Sequence, residues 1–300
     1  MWWALQNRTS AWSGGFGVAY LARDWQERQV VIKTLRDEIL IDPKNKYFCD
    51  RFKDEALRLA VCRHPHIVAV QNTFTEPYAL QIENKVFTVE AFCLVMEYIE
   101  GESLEQIVRR RRGISEGEVV CYLHQIGSAL AFVHDLGILH RDIKPSNILI
   151  RSTLGEAVLI DFGLARNFIH DSAKNYTVAL THGFAPPEQY SRKVVATEAV
   201  DVYALAATAY FALTGTNPIS AMDRLLAIPQ PTVQELTPNI GQKLNSDEHS
   251  MDSADISALL RQVLAMYSDY NSLQTQVDYF VLNLNKPLLY GVVADICCGL

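Results

Sequence analysis

The sequence predicts an α+β protein with two lobes, a small strand-rich lobe followed by a larger, mostly helical one. Three observations support this prediction. The chain has 300 residues, enough for two compact units of roughly 150 residues each. Its first third consists of short apolar runs separated by polar turn residues. Beyond Gly101, apolar residues recur mostly at the spacing of a helix.

The small lobe is predicted to combine short strands with one helix. Phe52, Ala56 and Leu59 recur at helical spacing, so a helix is expected over 52–62, and Pro65 is expected to stop it. Strands are expected over 18–22, 29–32, 67–70 and 92–96, with a polar stretch over 76–85 before the last of them.

The large lobe begins with the strongest helix signal of the chain. Ser115 is followed three residues later by Glu118, the pattern of a capping box, and a long helix is expected over 115–134. The connection between the lobes is expected near 97–101. The remaining predicted elements are strands over 147–150 and 157–160, helices over 200–214 and 253–266, and a loop over 230–250.

Composition and charge exclude several classes of protein. Hydrophobic residues make up 49% and charged residues 20%, which excludes a disordered, collagen-like or coiled-coil chain. The net charge of -7 makes general nucleic-acid binding an unfavourable interpretation. The strongest basic run, at 109–112, is predicted to be the solvated end of a helix.

The cysteines and apolar runs indicate the compartment. None of the six cysteines forms a C-x-x-C pair, so a zinc ribbon or a redox motif is not expected. The start of the chain lacks the features of a signal peptide, and no apolar run reaches the ~18 residues of a membrane span. We therefore expect a cytoplasmic protein with reduced thiols and no membrane span within this chain.

A glycine-rich loop and a lysine on a strand suggest phosphate binding. Gly14, Gly15 and Gly17 lie between two predicted strands, and glycines let backbone amides approach phosphate oxygens closely. Lys33 ends the second strand. A functional lysine there needs a carboxylate partner, and Glu55 on the following helix is the candidate.

The segment 140–147, with the sequence HRDIKPSN, is more specific. Asp142 is placed to orient a hydroxyl group and accept its proton, while Lys144 neutralises charge on a transferring phosphoryl group. Asn147 offers an amide oxygen to a hard cation. Asp161 follows a predicted strand, a position from which a carboxylate can hold a magnesium ion that bridges phosphates.

These motifs together resemble the eukaryotic-like protein kinases, in particular their bacterial serine/threonine branch. The resemblance runs from about residue 13 to about residue 280 and includes D-F-G at 161–163 and A-P-P-E at 185–188. It implies a bilobal protein-kinase-like fold, with an antiparallel-sheet N-lobe that carries one main helix and a larger helical C-lobe. The implied catalytic domain covers 1–285, with lobes over about 1–100 and 101–285, and leaves 286–300 as a tail of unknown role.

The resemblance assigns roles residue by residue. Lys33 is implied to bind the α- and β-phosphates of ATP and to pair with Glu55, and Asp142 to be the catalytic base. Asn147 and Asp161 are implied to hold magnesium or manganese, and Asp201 to brace the catalytic loop. The implied ATP-binding residues are Gly14, Gly15, Phe16, Gly17, Ala19, Val31, Lys33, Met96, Glu97, Ile99 and Leu149.

The acceptor and the regulation are implied by the same resemblance. Lys144 and Thr181 match the serine/threonine pattern, so the acceptor is expected to be a Ser or Thr hydroxyl of a protein. Arg141 matches kinases that are activated by phosphorylation of a loop, because arginine can pair with a phosphate. Thr177 is the preferred site in that loop, with Ser172 as a second candidate, and signalling with autophosphorylation is the expected context.

Three positions depart from the family pattern. Trp12 stands where the first loop glycine is expected, Ala19 replaces a larger residue, and Leu273 stands where an arginine usually pairs with Glu188. These departures leave open a pseudokinase scaffold that binds nucleotide with weak or no turnover. A small-molecule phosphotransferase on a related fold is a further alternative, although such enzymes usually lack Lys144 and the A-P-E segment.

Overall fold

The computed structural model describes residues 9–13, 17–42, 45–82, 85–162, 183–190, 197–231 and 233–237. The chain divides into two compact units, and the boundary between the first and the second falls after Glu100. The first unit is dominated by an antiparallel sheet and the second by helices, so the predicted α+β class is confirmed.

The first unit contains a five-stranded antiparallel sheet and two helices. Its strand order is β1-β2-β3-β5-β4, so β5 lies between β3 and β4. The strands are β1 (Thr9–Ser13), β2 (Gly17–Arg23), β3 (Gln29–Leu35), β4 (Val70–Ile82) and β5 (Lys85–Glu97). The helices are α1 (Asp37–Leu40) and α2 (Lys46–Ala60).

Three predictions about this unit are wrong in extent. The strand expected over 67–70 lies almost wholly ahead of β4, which begins at Val70. The predicted polar stretch at 76–85 is mostly strand, because β4 and β5 form one long hairpin whose pairing extends to Ile82 and Lys85. Cross-strand hydrogen bonds satisfy the backbone whatever the polarity of the side chains. Helix α2 begins at Lys46, before the first apolar position on which the prediction was based, and ends at Ala60, ahead of Pro65.

One buried cluster of the first unit lies on one face of the sheet. Val30 and Ile32 of β3 pack with Ala91, Cys93 and Val95 of β5, and all five are nearly inaccessible to solvent. Because strand side chains alternate between faces, the intervening residues of both strands point to the opposite face. That second face carries the nucleotide-binding candidates described below.

The second unit surrounds a small sheet with helices. The three-stranded sheet has the order β6-β7-β8. Its strands are β6 (Gly101–Ser103), β7 (Ile148–Arg151) and β8 (Ala157–Leu159). The helices are α3 (Leu104–Arg111), α4 (Glu116–Asp135), α5 (Ala199–Thr214), α6 (Ala221–Leu225) and α7 (Val233–Leu236), with 3-10 turns at Pro145–Asn147 and Pro187–Tyr190.

The helix starts of this unit follow from side-chain caps. Ser115 and Glu118 form the predicted capping box at the start of α4. Helix α3, whose start the sequence did not predict, has the same arrangement between Ser103 and Gln106. Helix α5 is buried along most of its length, because apolar residues occupy all sides of the helix rather than one face. The predicted helix over 253–266 lies outside the described residues.

The basic run at 109–112 is the end of α3, as predicted, and its charge is largely neutralised. Arg109 and Arg111 pair with Glu105 and Glu118, both at 2.7 Å, and Arg110 contacts Glu102. The run therefore offers little free positive charge to a polyanion. Among the helices in the described part of the chain, none combines the length and apolar character needed to cross a bilayer.

Candidate active site

The loop between α4 and β7 is held by side chains rather than by regular secondary structure. Asp201 of α5 is fully buried, and its carboxylate accepts hydrogen bonds from the backbone N–H groups of His140 and Arg141, at 2.8 and 2.6 Å. His134 of α4 lies 2.9 Å from the same carboxylate through Nε2. Through Asp201, the buried helix α5 fixes the start of the loop. The family resemblance implies this bracing role for Asp201.

His140 completes this support from inside the unit. Its ring is fully buried and packs against Phe162, with ring centroids 4.5 Å apart. Nδ1 accepts a hydrogen bond from the N–H of Asp142 at 3.2 Å, and Nε2 lies 3.3 Å from the carbonyl oxygen of Ile160. Burial lowers the pKa of His140, which favours the neutral ring with its proton on Nε2.

The carboxylate of Asp142 is contacted by the side chains of Lys144 and Asn147. Lys144 Nζ lies 3.0 Å from the Asp142 carboxylate. Asn147 Nδ2 donates to the same carboxylate at 3.2 Å and to the backbone carbonyl of Asp142 at 2.8 Å. The loop thus brings an ammonium group and an amide within hydrogen-bonding distance of one carboxylate.

Asn147 has an oxygen atom that fits a metal ligand. Its side chain is fully buried, and Oδ1 has no hydrogen-bond partner among the described residues, while both hydrogens of Nδ2 are engaged. Leaving a buried oxygen unsatisfied is costly unless a ligand or ion completes it. An amide oxygen is a suitable donor for a hard cation such as magnesium.

Asp161 is placed near the backbone of Asn147 by one hydrogen bond of its neighbour. The N–H of Ile160 donates to the carbonyl of Asn147 at 2.9 Å, so the residue after Ile160 begins beside Asn147. Asp161 has a φ of 55°, in the left-handed region that non-glycine residues rarely adopt and that clusters at functional sites. No group of three or more His, Cys, Asp or Glu residues within the described ranges forms a metal site, so a magnesium ion here would take its other ligands from phosphates and water.

The segment 183–190 reaches the loop from another direction. Gln189 Nε2 donates to the carbonyl oxygen of Arg141 at 3.1 Å. Its neighbour Glu188 is largely buried, and burial raises the pKa of that carboxyl to about 7. No cation among the described residues forms an ion pair with Glu188. Leu273, which was predicted to leave Glu188 without its usual arginine, lies outside the described residues.

In the first unit, one face of the sheet collects the adenine and phosphate candidates. Ala19 is directly opposite Lys33 across β2 and β3, and Val31 is opposite Met96 across β3 and β5. Directly opposed residues share a face, so these four side chains lie together on the face opposite the Val30 cluster, where Ala19 and Met96 are themselves buried. Glu97 ends β5, and its carboxylate accepts a hydrogen bond from the N–H of Ala69 at 2.8 Å.

Gly17 and helix α2 both border this face. A Cβ atom on Gly17 would lie 3.2 Å from Cε of Lys33, so glycine leaves room for the lysine side chain. Helix α2 packs on the same face through Phe52, whose ring lies 6.3 Å from that of Phe92. Glu55 is in α2, but its side chain lies outside the described part of the structure, and its predicted pairing with Lys33 stays a prediction.

Several predicted site residues cannot be placed together. Ile99 follows β5 and is buried in the first unit, whereas Leu149 is in β7 of the second unit. Others fall outside the described residues, namely Gly14, Gly15, Phe16, Ser172, Thr177 and Thr181. Sequence reasoning missed His134 and Gln189. The helical position of His134 and the adjacency of Gln189 to the A-P-P-E motif are the only signals that the sequence offers for them.

Comparisons with known proteins agree with these arrangements. The family described as "Protein kinase domain" matches residues 11–270. The chain is 34% identical over 239 residues to the serine/threonine-protein kinase PknA of Mycobacterium tuberculosis, a match that covers 76% of this chain and 52% of PknA. It is 32% identical over 255 residues to PknB of Mycobacterium leprae, covering 84% of this chain and 38% of PknB. The chain thus spans about half or less of the length of these relatives.

Solved structures show the same fold. The apo form of PpkA-294 matches with a TM-score of 0.62 and 25% identity, over 87% of this chain and 88% of that one. The PknI kinase domain of Mycobacterium tuberculosis matches with a TM-score of 0.57 and 20% identity, over 87% and 97% of the two chains.

Proposed function

This chain belongs to the protein kinase family, and from that premise we propose that it is an ATP-dependent serine/threonine protein kinase. The reaction transfers the γ-phosphoryl group of ATP to a Ser or Thr hydroxyl of a protein. The observation that carries the proposal is the cluster of Asp142, Lys144 and Asn147, in which a carboxylate lies 3.0 Å from an ammonium group. The kinases PknA and PknB, with which the chain shares about a third of its residues, support the choice of acceptor.

Asp142 is the proposed base. Its carboxylate accepts a hydrogen bond from the acceptor hydroxyl and takes the proton as the hydroxyl oxygen bonds to phosphorus. The bond between the γ-phosphorus and the bridging oxygen then breaks, and ADP leaves with its electrons. Lys144 neutralises negative charge on the transferring phosphoryl group. Its ammonium group is already positioned beside Asp142 for this role.

Asn147 and Asp161 are the proposed ligands of magnesium or manganese. When bound, the metal neutralises phosphate charge and orients the leaving group. Asn147 contributes its buried Oδ1, while its Nδ2 keeps Asp142 in place. Asp161 contributes a carboxylate from the end of β8.

The nucleotide is proposed to bind on the sheet face that carries Lys33. Lys33 binds the α- and β-phosphates and pairs with Glu55 of α2. The glycine-rich loop, with Gly14, Gly15, Phe16 and Gly17, covers the phosphates. The adenine is held by Ala19, Val31, Met96, Glu97, Ile99 and Leu149.

The wider assignments follow from the same function. We propose that 1–285 form the catalytic domain and 286–300 a tail. The need for ATP supports a cytoplasmic location. Arg109 and Arg111 of the basic run at 109–112 are paired with glutamates, which disfavours a nucleic acid as the partner. This supports a protein as the phosphoryl acceptor. Thr177 is the proposed regulatory phosphosite, with Arg141 as its partner and Thr181 beside the acceptor.

The test is phosphoryl transfer by the purified chain. Incubation with γ-labelled ATP, magnesium and a generic protein acceptor is expected to label Ser and Thr but not Tyr, and excess chelator is expected to abolish labelling. Mass spectrometry of the same sample maps any phosphate on the chain itself. Nucleotide binding without labelling of the acceptor or of the kinase itself would replace the proposal with the pseudokinase alternative. No observation on the described residues favours that alternative.

A further inference from the structure

We propose that Gln189 is a positioning residue for Asp142, acting through the peptide group that joins Arg141 and Asp142. The inference rests on the proposed role of Asp142 as the base. Gln189 lies in the 3-10 turn Pro187–Tyr190 and donates from Nε2 to the carbonyl oxygen of Arg141 at 3.1 Å. It touches none of the reacting groups, so its contribution is to the direction of the Asp142 side chain.

The peptide group between Arg141 and Asp142 is held at both of its polar ends. Its N–H, which belongs to Asp142, donates to Nδ1 of His140 at 3.2 Å. Its carbonyl, which belongs to Arg141, accepts from Gln189. Two hydrogen bonds to the opposite ends of one planar group resist its rotation, and this plane sets the direction in which the Cα–Cβ bond of Asp142 leaves the backbone.

This peptide group needs such support because its backbone is strained. Arg141 has a φ of 62°, in the left-handed region that is unfavourable for residues with a Cβ atom. Asp201 fixes the N–H of Arg141 at 2.6 Å, on the other side of the same residue. A strained residue persists when its surroundings over-determine it, and Gln189 supplies one of those restraints.

Gln189 lies in a well-packed segment of the second unit. The N–H of Gln189 donates to the carbonyl of Pro186 at 3.1 Å. Phe184, earlier in the same segment, packs edge-on against Phe211 of α5 with ring centroids 6.2 Å apart. Gly183 approaches the carbonyl of Pro218 so closely that a Cβ atom there would lie 2.4 Å from the oxygen. The side chain therefore extends from a packed segment, as a positioning group requires.

Gln189→Met tests the proposal by removing the donor while keeping the length of the side chain. The loss of one hydrogen bond to the strained peptide is expected to lower kcat about tenfold, equivalent to about 1.4 kcal/mol. The KM for ATP is expected to stay within about twofold, because binding does not involve this peptide. Gln125→Met is the matched control: Gln125 also bonds a backbone group, accepting from the N–H of Ala157 at 2.8 Å, outside both the 140–147 loop and the 183–190 segment. It is expected to leave kcat unchanged.

Gln189→Glu adds a pH readout that a structural role alone does not move. An ionised glutamate repels the Arg141 carbonyl, whereas a protonated one can donate to it. The ratio of the kcat of this variant to that of the wild type is therefore expected to rise as the pH is lowered from 8 toward 5.5. A ratio that does not change with pH would contradict the proposal.

Hydrogen exchange separates this inference from the proposed function. In Gln189→Met, the amide of Asp142 is expected to exchange about tenfold faster than in the wild type and in Gln125→Met. A wild-type chain without kinase activity would overturn the proposed function, while the exchange rates would still test the restraint. Unchanged exchange in Gln189→Met, or faster exchange with an unchanged kcat, would overturn the positioning role.

Discussion

The side-chain amide of Asn147 donates to both the backbone carbonyl and the carboxylate of Asp142, at 2.8 and 3.2 Å. One residue thereby restrains the proposed base at two points and retains a buried oxygen without a hydrogen-bond partner. Positioning of the base and binding of the metal are therefore coupled through a single side chain.

Asn147→Ala is expected to raise the magnesium concentration needed for half-maximal activity about tenfold and also to lower kcat, because it removes both the metal ligand and the support of Asp142. Asn147→Asp retains an oxygen for the metal and is expected to affect kcat more than the magnesium requirement. Activity measured across a magnesium titration distinguishes the two. Asn45→Ala, which loses a hydrogen bond to the carbonyl of Ile39 in the first unit, is the control. An unchanged magnesium requirement in Asn147→Ala would remove Asn147 from the metal site.

Asp142→Asn is expected to lower kcat by about 10²–10⁴-fold while preserving the fold and ATP binding. The change removes the charge that accepts the proton, but the backbone of the loop is still held by Asp201 and His140. Turnover and equilibrium nucleotide binding, measured on the same preparation, check both parts. A variant within twofold of the wild type would show that another group is the base.

Asp201→Asn is expected to lower both stability and kcat. An amide presents one acceptor oxygen where the carboxylate accepts on two, so at least one of its buried donors loses its partner. The expected loss is about 2–4 kcal/mol in the free energy of unfolding, or a fall in Tm of roughly 5–15 °C. Asp135→Asn, at an exposed position at the end of α4, is expected to change the stability by less than about 0.5 kcal/mol. Equal melting temperatures for both variants would refute the bracing role.

Gly17→Ala is expected to raise the KM for ATP about three- to tenfold, or roughly 1 kcal/mol. The new methyl group would lie 3.2 Å from both Lys33 Cε and the carbonyl oxygen of Thr34, so the lysine side chain must move. Gly117→Ala is the control, since a Cβ atom there meets nothing within 4 Å and alanine favours a helix. An unchanged KM for ATP in Gly17→Ala would argue against Lys33 as a phosphate ligand.

Glu188→Gln is expected to make the protein more stable than the wild type above pH 7. Burial raises the pKa of Glu188 from 4.5 to about 7, so the folded state binds this proton more tightly than the unfolded state. Between pH 4.5 and about pH 7, the contribution of this proton to the free energy of unfolding falls as the pH rises. Above about pH 7 that contribution is fully lost. The glutamine variant lacks this dependence, so the difference between the two proteins is expected to vanish toward pH 4.5. Denaturant unfolding across this range measures it, with Glu90→Gln at an exposed position as the control. Parallel curves for Glu188→Gln and the wild type would mean that an ion pair stabilises the carboxylate.

Local patterns in the sequence predicted much of the fold. The Ser115 and Glu118 pair located the start of α4 because a capping box joins residues only three apart. Short apolar runs bounded by polar turn residues located β2 and β3, because both signals also lie close together along the chain. The polar part of β4 was missed, because its strand character comes from pairing with β5 rather than from its own side chains.

The sequence by itself determined the protein family and the identity of the catalytic candidates, since residues such as Asp142, Lys144 and Asn147 lie close together along the chain. The family resemblance implied Asp201 as a brace of their loop, but tertiary structure alone decided its contacts and the other supports. Asp201 reaches the loop from α5, and Gln189 reaches Arg141 from a segment about fifty residues away. Contacts of this kind join residues that no local pattern relates. Their partners are chosen only when the chain packs and each buried polar group must find a hydrogen bond.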